Sequence, residues 1–495
     1  MGRVKLVLPD EYVFTTEIHL RVSDINYGGH LGNDAVLSLC HEARARLFAA
    51  HGFTELDVDG VGILMIDAVI VFRSEAFYGE TLAGDVAVCN FSRTGCDLFY
   101  LLRVQNPMGE RWRGRRRALC FSIMAIEELD PYPKSLERFL RDSAMENERR
   151  VASGALLDLV QAIFETCGMR AGDAHLLADS LVDADLGGVH SHGVLRVPEY
   201  VSKLTVDGVD PNGKPEVVKD NGACLVVDGG NSMGQIGTAF AMQQVIARAR
   251  DIGIAAAGIR GSNHCGAVGY FARMALDCDM IGIATTNALP TMAPWGGAER
   301  ILGINPLSVA IPAGGEFPIV FDAAFSGSAH GKIRVYEQKG LTLPEGWAMD
   351  ADGVPTTDPV KAIDGLLMPI GQFKGVALAM VMGILSSMLS GASYGTELGN
   401  MEEGPQAGED GHFVAAIRVG AFEDVARFKA RVDSAIQQIH ACKMALGVDR
   451  LFAPGEPEAL RRNAYRTHGI PLNVVTLNDL KKTAEERGLA FALGG

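Results

Sequence analysis

The stretch Asp185–Tyr200, DLGGVHSHGVLRVPEY, decides how the rest of the 495-residue chain is read. Within six residues it places a hydroxyl (Ser191), an imidazole (His192), a glycine that lets the backbone turn (Gly193) and a guanidinium (Arg196). An imidazole titrates near neutral pH and can give a proton to a developing alkoxide. The planar fork of arginine grips a carboxylate through two parallel hydrogen bonds. Together they are what an enzyme needs to reduce a 2-oxo acid. Taken alone, Ser-His-Gly is also ordinary chemistry for a turn at a helix end, so its company matters.

Further along come SNHCGAVGY (Ser262–Tyr270), TNALPTMAPWGG (Thr286–Gly297), LGINP (Leu302–Pro306) and PGEPEALRR (Pro454–Arg462). In order and spacing, residues 149 to 495 resemble the type 2 malate/L-lactate dehydrogenases, a non-Rossmann group that includes ureidoglycolate, sulfolactate and diketogulonate oxidoreductases. The resemblance implies hydride exchange between NAD or NADP and a 2-hydroxy or 2-oxo acid, with Arg196 on the carboxylate. It makes His192, oriented by Ser191, the proton donor and puts its rival His264 beside the nicotinamide. Cofactor contacts fall to Asp322, to Lys374 and Gly375, and to the loop of Gly455 and Glu456. Asn287 and Asn305 supply amide donors and acceptors to cofactor or substrate. The chain departs from the family with Ile304 where Thr is common, DAAFS for a D-M-A-T-S-like run, KGVAL for K-G-Y-G-L, and no acidic residue near Met382.

Local patterns agree with an α/β unit. Residues 154 to 168 and 172 to 186 have helical apolar spacing, with Gly168 as a stop. A third helix is expected to carry Arg196 and Tyr200. CLVVD (Cys224–Asp228) reads as a strand, followed by GGNSMGQIG and a helix over Thr238–Arg250; further short strands fall at 253 to 259, 280 to 285 and 307 to 311. Neither G-x-G-x-x-G nor G-x-x-x-x-G-K-[ST] occurs in the glycine run, which disfavours a Rossmann or P-loop reading.

Upstream, residues 12 to 21 read as a strand and Asp34–His51 as a helix. Segments rich in β-branched and aromatic residues follow at 62 to 73, 81 to 93, 97 to 106 and 115 to 124. A long helix followed by four strands implies an antiparallel sheet wrapped around that helix. With D-x-x-x-x-G-H-L-x-N at Asp24–Asn33, residues 10 to 128 resemble the hotdog acyl-CoA thioesterases of the 4-hydroxybenzoyl-CoA type. In that family a carboxylate stands where this chain has Asn26, and an amide takes no proton. Asn26 with His30 would orient a water and polarise a thioester, with Glu42 on the helix as a substitute carboxylate. RWRGRRR (Arg111–Arg117) offers basic charge to coenzyme A phosphates. The expected division is a hotdog domain over 1 to 128, a linker over 129 to 148 and the dehydrogenase-like domain over 149 to 495.

Composition sets the outer bounds. A chain of this length holds two to four domains at ~150 residues each. The net charge of −15 argues against general nucleic-acid binding. Nine cysteines without a CxxC pair argue against a zinc knuckle or a secreted disulfide scaffold and favour a reducing cytoplasm. Residues 1 to 20 alternate like a strand and carry charges, so no signal peptide is expected. The uncharged run Gly375–Ala392 is read as a buried core helix, its glycines and serines arguing against a membrane span. Both resembled families assemble as homodimers or larger homo-oligomers, and the same is expected here. The competing reading is an acyl-CoA thioesterase or binding protein whose dehydrogenase half is degenerate.

Overall fold

The structure, a computed structural model, describes residues 12–50, 52–55, 69–71, 75–89, 97–105, 118–122, 148–329, 332–333, 336–337, 342–400, 404–445, 448, 450–491 and 493. The basic run at 111 to 117 and nearly all of the expected linker lie outside these residues. Two compact units result, a smaller one centred on Met1–Asn147 and a larger one of Glu148–Arg334 and Thr342–Gly495.

The smaller unit is a hotdog. Helix α1 (Asn33–Ala50) lies on a five-stranded antiparallel sheet of β1 (Phe14–His19), β2 (Val69–Val71), β3 (Thr81–Cys89), β4 (Asp97–Val104) and β5 (Ala118–Ser122), in the order β1-β3-β4-β5-β2. Alternation puts Ile18, Leu82, Val86, Leu98, Tyr100 and Leu102 on one face, where they meet Val36, Leu39, Ala43, Leu47 and Phe48 of the helix. Helix and sheet each bury their one apolar face against the other, which is what makes the pair stable.

The larger unit begins with β6 (Glu148–Val151), so Glu148, assigned to the linker from sequence, belongs to the domain instead. Its strand pairs antiparallel with β14 (Ile470–Asn473) near the far end of the chain. Helices α2 (Ser153–Thr166) and α3 (Ala171–Leu186) follow, separated by Gly168 at φ 92°, the left-handed backbone that ends a helix cheaply only with glycine. They pack with α4 (Val197–Thr205) and α10 (Val474–Glu486) into one apolar cluster around Phe164, Leu181 and Tyr200.

Beside this cluster stands a seven-stranded sheet. Its strands are β7 (Glu216–Asn221), β8 (Cys224–Asp228), β9 (Ile254–Ser262), β10 (Met280–Thr286), β11 (Leu307–Ile311), β12 (Ile319–Ala323) and β13 (Asp410–Arg418), in the order β12-β11-β10-β13-β9-β8-β7. Only β8 and β9 run parallel; every other neighbouring pair is antiparallel. A doubly wound dinucleotide fold needs a mostly parallel sheet, so the missing glycine fingerprint is matched by a different topology.

Helix α5 runs over Gly234–Ile252, four residues earlier than expected, and crosses the sheet. The glycine run in front of it serves packing. A Cβ on Gly234 would overlap the backbone of Asn263 and lie 2.7 Å from the His264 carbonyl carbon and 2.8 Å from Cys265 Cα, so the helix start can press onto that loop only as glycine.

The apolar run after Lys374 corrects the sequence reading. Helix α7 covers Phe373–Ser386, buries Gly375, Val376, Ala379, Gly383 and Ser386, and leaves Leu378, Met380, Val381 and Ile384 exposed, so it is half-buried instead of a core helix. At 14 residues it is too short to cross a bilayer, and among the described residues no helix is long and apolar enough to do so.

Truncating Phe164 to Ala, at a fully buried position of the helical cluster, is expected to cost about 3–5 kcal/mol. The shift in the denaturant midpoint measures it.

Candidate functional site

Helix α3 ends at Leu186, and two short 3-10 turns, His190–His192 and Val194–Arg196, carry the chain into α4. Arg196 caps α4 and is not part of it, whereas Tyr200 lies one turn inside. The Asp185 carboxylate, in the last turn of α3, accepts from His190 Nδ1 and from the Val194 amide, both at 2.7 Å. Gly193 has an ordinary φ of −91°, so the turn itself does not demand glycine. Space does, because a Cβ there would overlap the Asp185 carboxylate. This replaces the conformational reason expected from sequence.

The loop that these contacts hold brings His192 to His264. The two rings stack with centroids 6.0 Å apart and an interplanar angle of 18°. Ser191 Oγ lies 2.9 Å from His192 Nδ1. Tyr200 Oη lies 2.7 Å from His264 Nδ1 and accepts from Gln235 Nε2 at 3.3 Å, so its own proton is free to go to His264. A neutral His264 then carries its ring proton on Nε2. Desolvation first, then the Arg196 charge, hold His192 down to about 4 against the opposing pull of Glu199. His264 lies well below the usual imidazole range through desolvation, with His192, Arg196 and the buried Lys203 adding to it. Both rings are therefore neutral at pH 7.

Arg196 gives Nε to the Ser191 carbonyl at 2.9 Å and Nη1 to Glu199 at 2.7 Å. Its guanidinium and the Glu199 carboxylate are 32% and 43% exposed, and an ion pair that open is worth ~0–1 kcal/mol. An incoming carboxylate can displace Glu199 at small cost.

Behind His264 the loop is knotted. Asn263 Nδ2 donates to the Ser232 carbonyl at 2.8 Å, and its Oδ1 accepts from the Gly408 amide. His412, fully buried and held down to about 3 by desolvation, bridges Ser262 Oγ (2.8 Å) and Thr286 Oγ1 (2.7 Å). Sequence reading had not singled out His412, Asp185, His190, Lys203 or Gln235. Only the five-residue step from Asp185 to His190 leaves a trace in the order of residues.

The expected cofactor residues fall in two groups. Asp322, near the end of β12, accepts from the Gly269 amide with Oδ2 at 2.9 Å and keeps Oδ1 without a partner among the described residues. Desolvation by the chain around it lifts its pKa to about 6 although the residue is exposed at the surface, with the Gly269 amide, Arg273 and Arg462 opposing. Gly455, at φ 86°, sits on β12, where a Cβ would lie 2.8 Å from the Val320 carbonyl oxygen, and Val320 N donates to the Pro454 carbonyl. Glu456, the first residue of α9 (Glu456–His468), is buried and accepts from His440 Nε2, Arg450 and the Ala453 amide. Lys374 is exposed without an ion pair among the described residues, and Gly375 packs directly on the Ile370 carbonyl.

Asn287 and Asn305 bond to the chain itself. Asn287 donates to Ser387 Oγ and the Ser393 carbonyl and accepts from the Gly411 amide. Asn305 accepts from the Ala288 amide and donates to the Ala379 carbonyl. Both are nearly fully buried, and their amides tie loops together.

In the smaller unit, Asn26 Oδ1 accepts from the Gly28 amide at 2.9 Å while Nδ2 lies 3.2 Å from His30 Nδ1. Glu42 is paired with Arg46 and lies 3.9 Å from Arg21.

The Malate/L-lactate dehydrogenase family pattern matches residues 151–481, and that of the Thioesterase-like superfamily matches residues 20–140. The L-sulfolactate dehydrogenase of Methanocaldococcus jannaschii is 36% identical over 67% of this chain and 95% of its own length. Malate dehydrogenase of Pyrococcus abyssi is 34% identical, over 70% and 96%. Ureidoglycolate dehydrogenase (NAD(+)) of Escherichia coli is 30% identical, over 65% and 92%. Among solved structures, sulfolactate dehydrogenase from M. jannaschii superposes with a TM-score of 0.64 at 34% identity, covering 69% of this chain and 98% of that one. Malate dehydrogenase from Entamoeba histolytica gives 0.67 at 29%, covering 70% and 99%. With its family pattern spanning most of the chain and its fold shared with these enzymes, the protein belongs to the malate/L-lactate dehydrogenase family and carries a thioesterase-like hotdog domain in front of it.

Proposed function

We propose that the larger unit is an NAD- or NADP-dependent oxidoreductase that interconverts a 2-hydroxy acid and a 2-oxo acid. The stacked, neutral His192 and His264 rings beside the Arg196 fork carry this reading. Arg196 takes the substrate carboxylate in place of Glu199. His192, oriented by Ser191, takes the hydroxyl proton in oxidation and returns it in reduction. His264, with Tyr200 on its Nδ1, has its Nε2 proton left to give to the substrate.

A nicotinamide cofactor supplies the hydride. The residues fit one: among the described residues Asp322 has an open carboxylate oxygen for a ribose hydroxyl and Lys374 has no ion pair, and the Gly455–Glu456 loop lies against the strand of Asp322. Asn287 and Asn305 serve by fixing loops. The exposed apolar residues of α7 support a homo-oligomer, and the six free cysteines found among the described residues fit a reducing compartment such as the cytoplasm.

For the hotdog unit we infer binding of an acyl-CoA. Asn26 is spent on its own loop and Glu42 on Arg46, so recognition is better supported than hydrolysis. Thiol release from a panel of acyl-CoAs by the whole chain is expected to be negligible, while the same thioesters bind by calorimetry.

Mixing the protein with each reduced nicotinamide cofactor and a panel of 2-oxo acids should bleach the reduced-pyridine absorbance; no bleaching with any acid defeats the redox reading. Arg196→Lys keeps the charge but loses the fork, and should raise KM for the acid about 10–100-fold, the value of one or two charge-assisted hydrogen bonds. Glu199→Gln removes the competitor and should lower that KM. The kcat/KM for oxidation requires neutral His192, so its acid limb should fall through about pH 4. A limb near ~6.5, the ordinary imidazole value, would mean that the ring is not shielded as described.

A further inference from the structure

We propose that Asp185 and His190 are a positioning pair for the reaction read above, clamping the Ser191–His192 segment at both ends so that the His192 ring stays stacked on His264. The inference rests on that reading of the larger unit but adds residues which touch neither substrate nor cofactor.

The geometry is two-sided. Asp185 is almost wholly buried, and its oxygens take different partners: Oδ1 accepts from His190 Nδ1 and Oδ2 from the Val194 amide, each at 2.7 Å. Ser191 and His192 lie in the chain between these anchors. Gly193 closes against the same carboxylate with no room for a side chain. The carboxylate itself sits on a regular helix packed between the apolar cluster and α5, so the anchor is rigid.

A buried carboxylate is expensive to keep, and burial pushes the Asp185 pKa up while His190 and the Val194 amide oppose it. A loop needing only an end-stop would not require the charge. What the charge secures is a short, strong hydrogen bond at each end of a segment whose other ties are the turn bonds of His192 N to the Val189 carbonyl and Gly193 N to the His190 carbonyl, and Arg196 Nε on the Ser191 carbonyl. His190 is 40% exposed and its ring is held by Asp185 through Nδ1, so it works as a tether. The groups that set the His192 charge are Ser191 on its own turn, Arg196 and Glu199 at the start of α4, and His264 from the loop after β9. Lys203 and His412 act on His264 in turn. Freeing the segment would move His192 away from the stack and into water.

The test compares His190→Ala with His190→Asn in the full chain. The asparagine amide can donate to Asp185 from about the position of the lost Nδ1. NMR of the imidazole resonances, with His192 assigned through His192→Gln, gives its titration midpoint with neither cofactor nor substrate present. In His190→Ala the midpoint should climb from about 4 toward ~6.5. The kcat should fall about 10–100-fold, as expected for a misplaced proton carrier, with KM for the nicotinamide cofactor within about twofold. His190→Asn should restore the low midpoint and most of the kcat. An unchanged midpoint in His190→Ala, or an equal loss in both variants, overturns the proposal. If the wild-type chain converts no 2-oxo acid, the redox reading fails while the NMR comparison still decides the clamp.

Discussion

Desolvation of two imidazoles is the constraint on which the larger unit depends. A desolvated histidine loses its proton unless a negative charge compensates, and at His192 the pull of Glu199 is smaller than desolvation and the Arg196 charge together. Instead Arg196 and Lys203 add positive potential, and the hydroxyl groups of Ser191 and Tyr200 satisfy the ring nitrogens without charge. The pair is thereby kept neutral and stacked. The helix of Tyr200 and the loop after β9 bring the two rings together.

The second requirement is close approach of backbone to backbone. Gly234 lets α5 press onto the loop of Asn263 and His264, Gly193 lets the first loop press onto Asp185, and Gly455 lets the last loop press onto β12. At two of these three positions the torsion is ordinary for any residue, and glycine is present because nothing larger fits. Buried amides then fix what the glycines bring together. Asn263, Asn287 and Asn305 each join segments far apart in sequence, as buried polar groups must find partners.

The hotdog unit follows a simpler logic. Its sheet and helix share one apolar interface, and its functional loop is stabilised by the Asn26 amide standing where the resembled thioesterases carry an ionisable group. An amide both donates and accepts, so it builds the loop more completely than a carboxylate could, and it gives up proton transfer in return.

The sequence alone determined the two-part plan, because period-2 and helical apolar patterns survive without any knowledge of contacts, and because several motifs in fixed order made the dehydrogenase family recognisable. It also marked Ser191, His192, Arg196 and His264 as residues of interest. It did not show that Asn287 and Asn305 bond to other loops of the chain, since nothing in the position of an asparagine says which segments its amide will meet. It took Gly193 for a flexible turn, since a glycine chosen for space reads the same as one chosen for torsion. It read the run after Lys374 as wholly buried, since apolar composition does not say which face a neighbour covers. Only the tertiary structure decided that 72 positions of chain separation collapse to a ring stack, and that Asp185 and His190 hold one side of it. The stack is set by packing and desolvation between segments remote in sequence and leaves no local pattern to read, while the Asp185–His190 contact leaves only its five-residue spacing.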